Sequence, residues 1–235
     1  MNASVRERTS ERIKSLALNH SCARHPLFER LRKDRFDLPQ VAALLRNYDA
    51  HASVLRRLLL KAATLMPEPA VGFILENVRN EYGNGDYNKA HQWQLKDLAL
   101  QAGVTDDAFK AAKIEPGTKK FIQTVPRYYD PKPASAAGFM RAAVSAGAIT
   151  ATEILALEEF KALQTAFGQF GLEHHIWFDH VRVEAEHTDE SLQLAEYFID
   201  QHNAVRAVEH GLNGVLEANV YLYDGLLSSL SQNAT

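Results

Sequence analysis

A chain of 235 residues, 46% hydrophobic and 23% charged, is long enough to bury a sizeable core and has the balance of a globular protein, not of a disordered one. Its net charge of −3 gives no basic footprint for nucleic acid or an anionic membrane, and its apolar runs, such as 58–60, fall far short of a bilayer span. One cysteine, Cys22, excludes an internal disulfide and a cysteine-rich metal site, while the charged N-terminus MNASVRERTSERIK lacks a signal-peptide core, so a cytoplasmic protein is expected.

Helical periodicity dominates, and no run alternates as a strand would. A first amphipathic helix is predicted over 5–19, and Pro26 starts a short second one to about Lys33. Leu38-Pro39 opens a long helix to about Met66, where Met66-Pro67-Glu68-Pro69 ends it. Another runs from about Ala70 to Tyr82; Gly83 and Gly85 interrupt, and helix resumes over 87–102 with Gly103 as a C-terminal cap. Short helices are predicted over 105–112 and 118–125, separated by the turn Glu115-Pro116-Gly117, and YYDPKPAS is a loop. Helices then return at about 134–146, 150–170, 172–187, 190–201 and 203–230. There is no internal repeat and no low-complexity tract. The prediction is one all-α domain over 1–235 with about eight or more helices.

The most informative stretch is HVRVEAEH. At about 100° per residue, steps of four and seven bring Glu184 and His187 within roughly 40° of His180 on a helix. Imidazole and carboxylate in one stripe suit iron, manganese or zinc, but one helix supplies half a site at most. A solvated helix with charges spaced by chance gives the same letters. Glu81 and His91 flank the glycine break EYGNGDYNKAH, whose glycines let two successive helices each present one ligand to one point. On spacing alone, a helix end with a surface glutamate and an unrelated histidine is the more economical reading. Glu153, in SAGAITATEILALEEF, has mainly apolar helical neighbours, and a carboxylate facing a core must be paired, protonated or metal-bound. Glu158 and Glu159 compete with it, and spacing leaves all three open. His174 and His175 point away from the stripe and read as surface or capping residues. Glu173 reads as a helix-start cap, and His20, His25, His51, His202 and His210 lack a liganding neighbour at helical spacing. No nucleophile elbow, HExxH motif or dinucleotide fingerprint is present.

In their order along the chain, HPLFERL, EYGNGDYNKAH, AGAITATE and FDHVRVEAEH resemble the haem-oxygenase-like diiron oxidases and oxygenases, the iron-containing redox enzymes, from roughly Pro26 to Gly225. The resemblance implies a haem-oxygenase-like helical bundle. Three core helices would supply Glu81, His91, Glu153, His180, Glu184 and His187 as ligands to two Fe(II) ions, with O2 as co-substrate. It selects Glu153 over Glu158, because the family glutamate follows a run of small residues. Two departures stand out: Glu81 and His91 are more widely spaced than in some members, and Glu184 replaces a frequent aspartate. The long helix at 39–65 would line the substrate cavity, with Tyr48 and His51 as wall residues. The resemblance further implies a homodimer acting on a small molecule, with an external electron donor. N-oxygenation of an amine or amino acid is the leading expectation, and oxidative C–C cleavage of an amino or fatty acid the first alternative. A metal-free binding or cofactor-pathway protein of the same fold, like the thiaminase-like and quinone-cofactor relatives, is the reading from another class. The thiaminase type needs a cysteine nucleophile, and Cys22 lies outside the four blocks. Self-sacrificing tyrosine conversion needs a lysine beyond the third-helix glutamate, and Lys161 is out of register for it.

Overall fold

The computed structural model describes residues 3–133 and 138–231; the side chains of residues 3–8, of His180 and of 182–186 lie outside the described set. Every regular element described is helical: α1 (Ala3–Asn19), α2 (Pro26–Lys33), α3 (Leu38–Leu65), α4 (Glu68–Glu81), α5 (His91–Gln101), α6 (Asp106–Ala111), α7 (Pro116–Thr124), α8 (Pro126–Tyr129), α9 (Gly138–Phe167), α10 (His180–His202) and α11 (Val205–Ser229). The all-α prediction of eight or more helices holds.

Local chemistry sets several of these boundaries. Asp37 and Gln40 form a reciprocal capping box at the start of α3, and His25 caps α2 by accepting from Leu27 N. Pro26, Pro39, Pro69 and Pro116 each sit in a first helical turn, where their missing N–H costs nothing.

α9 is the central helix. Packed on it are α11, α10, α2, α3 and α8, and its buried face carries Ala142, Ala143, Ala146, Ala148, Ile149, Ala151, Leu155, Leu163 and Phe167. The segment Gly138–Phe170 is long and apolar enough to cross a membrane by length and composition, but 67% of its most apolar window is buried among the other helices. That burial is what a core helix requires.

Three predicted boundaries are corrected. First, the separate helices expected at 134–146 and 150–170 are one uninterrupted α9 from Gly138; residues 134–137 lie outside the described residues. Gly147 does not break the helix, because an interior glycine costs only about 1 kcal/mol against alanine and tertiary packing outweighs it. Its role is contact: a Cβ on Gly147 would lie 1.9 Å from Val208 O of α11, and one on Gly211 of α11 would lie 1.8 Å from Val144 O. The two helices cross at those paired glycines.

Second, the helices expected at 172–187 and 190–201 are a short 3-10 turn, Ile176–Asp179, followed by a single α10 beginning at His180. Glu173 is therefore not at a helix start. The cap at this point is His175 instead, whose Nδ1 accepts from Trp177 N while Nε2 meets Asp97 Oδ2 at 3.0 Å. Third, the helix expected at 87–102 begins only at His91, after a 3-10 turn at Tyr87–Lys89.

Candidate metal centre

Glu81 is the last residue of α4 and His91 the first of α5. Between them Gly83, Asn84 and Gly85 all take positive φ, at 80°, 56° and 93°. Gly83 admits no side chain, since a Cβ there would lie 2.2 Å from Asp86 O. The turn brings His91 Nδ1 to 3.0 Å from Glu81 Oε1. On the far side of the ring, His91 Nε2 lies 2.8 Å from Asn80 Oδ1. Donation from Nε2 to that carbonyl leaves Nδ1 as the lone-pair nitrogen of the neutral ring, facing a carboxylate oxygen. Two electron-rich atoms at that distance need a proton or a cation between them. A polar group holding the distal nitrogen is also how metal-binding histidines are oriented.

The second pair sits across α9 and α10. Glu153 is 5% exposed and His187 6%. Asn77 Nδ2 donates to Glu153 Oε1 at 2.7 Å, and Glu153 Oε2 lies 3.9 Å from His187 Nδ1. Among the described residues that buried imidazole nitrogen has no hydrogen-bond partner. A buried polar atom left unsatisfied costs about 1–3 kcal/mol, so a missing partner is a strong structural signal. Of the competing glutamates, Glu158 is at the surface, paired with Arg32 and Lys161, whereas Glu159 is buried. Lys161 accordingly turns to the surface.

Glu81, His91 and Glu153 line one cavity with a free volume of about 90 Å³, and Tyr48, His51, Arg56, Glu159, Trp177 and Tyr223 line the same space. His51 is held neutral: burial pushes its pKa down to about 4, and the nearby Arg56 charge adds to this. Burial pushes the Glu159 carboxyl up despite a hydrogen bond from Tyr48. Tyr223 lies beside the same carboxyl, but among the described residues its buried hydroxyl reaches no partner in hydrogen-bond geometry. Burial likewise raises the Tyr129 phenol, which shares a 2.6 Å hydrogen bond with Thr152 Oγ1. Tyr48, Phe160 and Trp177 pack edge to face as an aromatic wall. Cys22 is buried outside this cavity, its thiol pushed up to about 12 by burial, and so supplies no nucleophile to it.

These donors fit a divalent metal in kind: two Glu/His pairs of nitrogen and oxygen atoms, each held from behind by an asparagine, suit iron, manganese or zinc. Among the described residues no three of them close on a single point. His180 and Glu184 begin α10 in the backbone register that places them on the His187 face, but their side chains lie outside the described residues.

Several members of the site are not evident from the sequence reading. Asn77 precedes Glu81 by one helical turn, a spacing that shares a face, and is the signal by which it was accessible. Arg56 interrupts the apolar series Ala52, Leu55, Leu59 on α3. Tyr129 and Trp177 have no local signature, since they reach the cavity through tertiary packing.

Over residues 42–219 the sequence matches a family model described as iron-containing redox enzyme. No curated protein matches it. Among solved structures it is similar to a CadD-like protein of unknown function from Nostoc punctiforme PCC 73102, with a TM-score of 0.71 and 17% identity, covering 97% of this chain and 100% of that one. It is also similar to a TenA family transcription regulator from Silicibacter sp. TM1040, with a TM-score of 0.69 and 10% identity over 95% of this chain and 97% of that one. A domain of unknown function with a haem oxygenase-like fold from Shewanella denitrificans OS217 gives a TM-score of 0.66 and 12% identity over 97% and 93% of the two chains. At these identities the likeness establishes the fold, which is haem-oxygenase-like.

Proposed function

The chain belongs to the iron-containing redox enzyme family, and from that premise we propose that it is a non-haem diiron, O2-dependent oxidase or oxygenase acting on a small amine or amino-acid-like substrate, with N-oxygenation as its reaction. The observation that carries this reading is the meeting of Glu81, His91 and Glu153 on one cavity, with His187 Nδ1, which has no hydrogen-bond partner among the described residues, beside Glu153. His180 and Glu184 complete the proposed ligand set.

Iron held there would supply oxygen activation and the oxidising equivalents. The chain's own residues do the rest. Glu81 and Glu153 contribute the negative charge that two divalent ions need, and Asn77 and Asn80 fix the ligands' orientation. Trp177, Phe160 and Tyr48 wall the cavity and keep water from it.

Glu159 supports the amine assignment. It is a carboxyl buried in the cavity wall, flanked by Tyr48 and Tyr223, with no cation beside it among the described residues and its pKa pushed up by burial. An incoming ammonium favours the charged form and gains a charge-assisted hydrogen bond.

One variant tests the role of this residue through two readouts. The folded carboxyl titrates above its unfolded value, so between those values the folded chain binds more protons than the unfolded one. The associated stability is present below the unfolded pKa near 4.5 and is lost as pH rises through the folded value. Glu159→Gln removes that loss: its Tm should exceed that of the unaltered chain at pH 7, with the gap closing towards pH 4.5. In the iron-loaded protein the same variant should weaken amine-dependent O2 consumption on the order of tenfold. Unchanged amine-dependent consumption would remove Glu159 from the site, and O2 consumption indifferent to any amine would remove the amine reading.

A further inference from the structure

Arg56 is the only arginine among the buried described residues, at 7% exposure, and it lines the same cavity as Glu81, His91 and Glu153. Among the described residues its one hydrogen bond runs from Nη2 to Gln92 Oε1 at 3.1 Å, to a neutral amide. The guanidinium carries five donors, so most of its capacity is unspent. Among the described residues no carboxylate lies within ion-pair distance of it, whereas the more exposed Arg32, Arg46 and Arg141 each have one. A buried charge without a counter-ion is among the costliest arrangements a fold can keep, and it stands where a ligand enters.

The cavity is also polarised. Tyr48 and Arg56 lie on the same helix eight residues apart, about 12 Å along its axis. Tyr48 lies beside the Glu159 carboxyl, while Arg56, two turns further along α3, brings a cation to the wall of the same cavity. Between them on α3, His51 is neutral and supplies no second charge.

We propose that Arg56 anchors a substrate carboxylate through its planar fork, so that the substrate class of this site is a short amino acid and not a bare amine. Carboxylate and guanidinium match in a bidentate pair, which fixes orientation as well as affinity. The free volume of about 90 Å³ favours a small substrate. The inference rests on the cavity of the proposed oxygenase being its substrate site, but it concerns binding and does not require turnover.

The test uses the full chain carrying Trp93→Phe, so that fluorescence reports Trp177 in the cavity wall. Four three-carbon probes are titrated with and without Fe(II): β-alanine, propionate, n-propylamine and propan-1-ol. β-Alanine and propionate should bind at least tenfold more tightly than propan-1-ol. Arg56→Gln should cost the two carboxylates at least tenfold and leave n-propylamine unchanged. Arg56→Lys, which keeps the charge and loses the fork, should recover part of the carboxylate affinity, and it decides the matter alone if Arg56→Gln does not fold. Equal binding of all four probes, no binding of either carboxylate, or an equal loss of every probe in the variants would overturn the proposal. Iron uptake is measured separately on the same samples: a parent chain that binds the carboxylates through Arg56 and takes up no iron refutes the diiron reading and leaves the anchor standing.

Discussion

Replacing His187 by alanine will abolish tight iron binding and turnover while leaving the helical fold in place. Its Nδ1 is buried, 3.9 Å from Glu153 Oε2, and receives no hydrogen bond from the described protein, so the side chain satisfies no other group through that atom. Removing a ligand should cost more than removing a group that merely orients one, an effect of roughly ten- to a hundredfold on metal affinity. Asn77→Ala, which deprives Glu153 of its 2.7 Å donor, should fall in that milder range. Iron content after anaerobic loading and desalting separates the two variants, and helical circular dichroism shows whether each remains folded. Iron retained at the parental level by His187→Ala would remove this residue from the ligand set.

The largest effect on stability is expected at the α9–α11 crossing. A Cβ at Gly147 would sit 1.9 Å from Val208 O, and one at Gly211 1.8 Å from Val144 O; in both cases the obstacle is helix backbone, which cannot rotate away. Gly147→Ala must therefore separate two helices that the core holds in contact. Overpacking of this kind costs typically 1–3 kcal/mol and more when backbone must move, so a loss of about 3 kcal/mol is expected, or about 10 °C in Tm at this chain length. Because both glycines serve one crossing, the double variant should lose less than the sum of the singles. Gly72→Ala is the control: it lies in α4 with nothing within 4 Å of the added Cβ, and should stabilise by about 0.4–1 kcal/mol. Urea unfolding of the parent and the four variants measures all of this. A Gly147→Ala chain as stable as its parent would contradict the close crossing.

The same glycine shows where sequence reading reached and where it stopped. Periodicity located the helices because each buries a face, and the caps and prolines fixed most ends. Residues 147–149 fall between two predicted helices, and along the chain a glycine that ends a helix and one that admits a neighbouring helix look alike; only the partner distinguishes them. The glycines at 83 and 85 were legible because positive φ is a local requirement, and they do join two helices so that Glu81 meets His91 at 3.0 Å. Glu153 could not be separated from Glu158 and Glu159 by spacing, since burial is a property of the packed bundle. In the structure Glu158 turns to Arg32 at the surface, while Glu153 and Glu159 both face the cavity. Arg56 is illegible in the sequence for the opposite reason: an arginine on a helix is ordinarily solvated, and only the fold shows it buried with no carboxylate at ion-pair distance among the described residues.

The central claim is that this cavity holds two iron ions, and the most direct measurement of it is anaerobic Fe(II) titration of the metal-stripped full chain, followed by calorimetry. The account predicts two equivalents per chain, with His187→Ala failing to reach that number. A parent chain that saturates at one equivalent, or binds none, would contradict it.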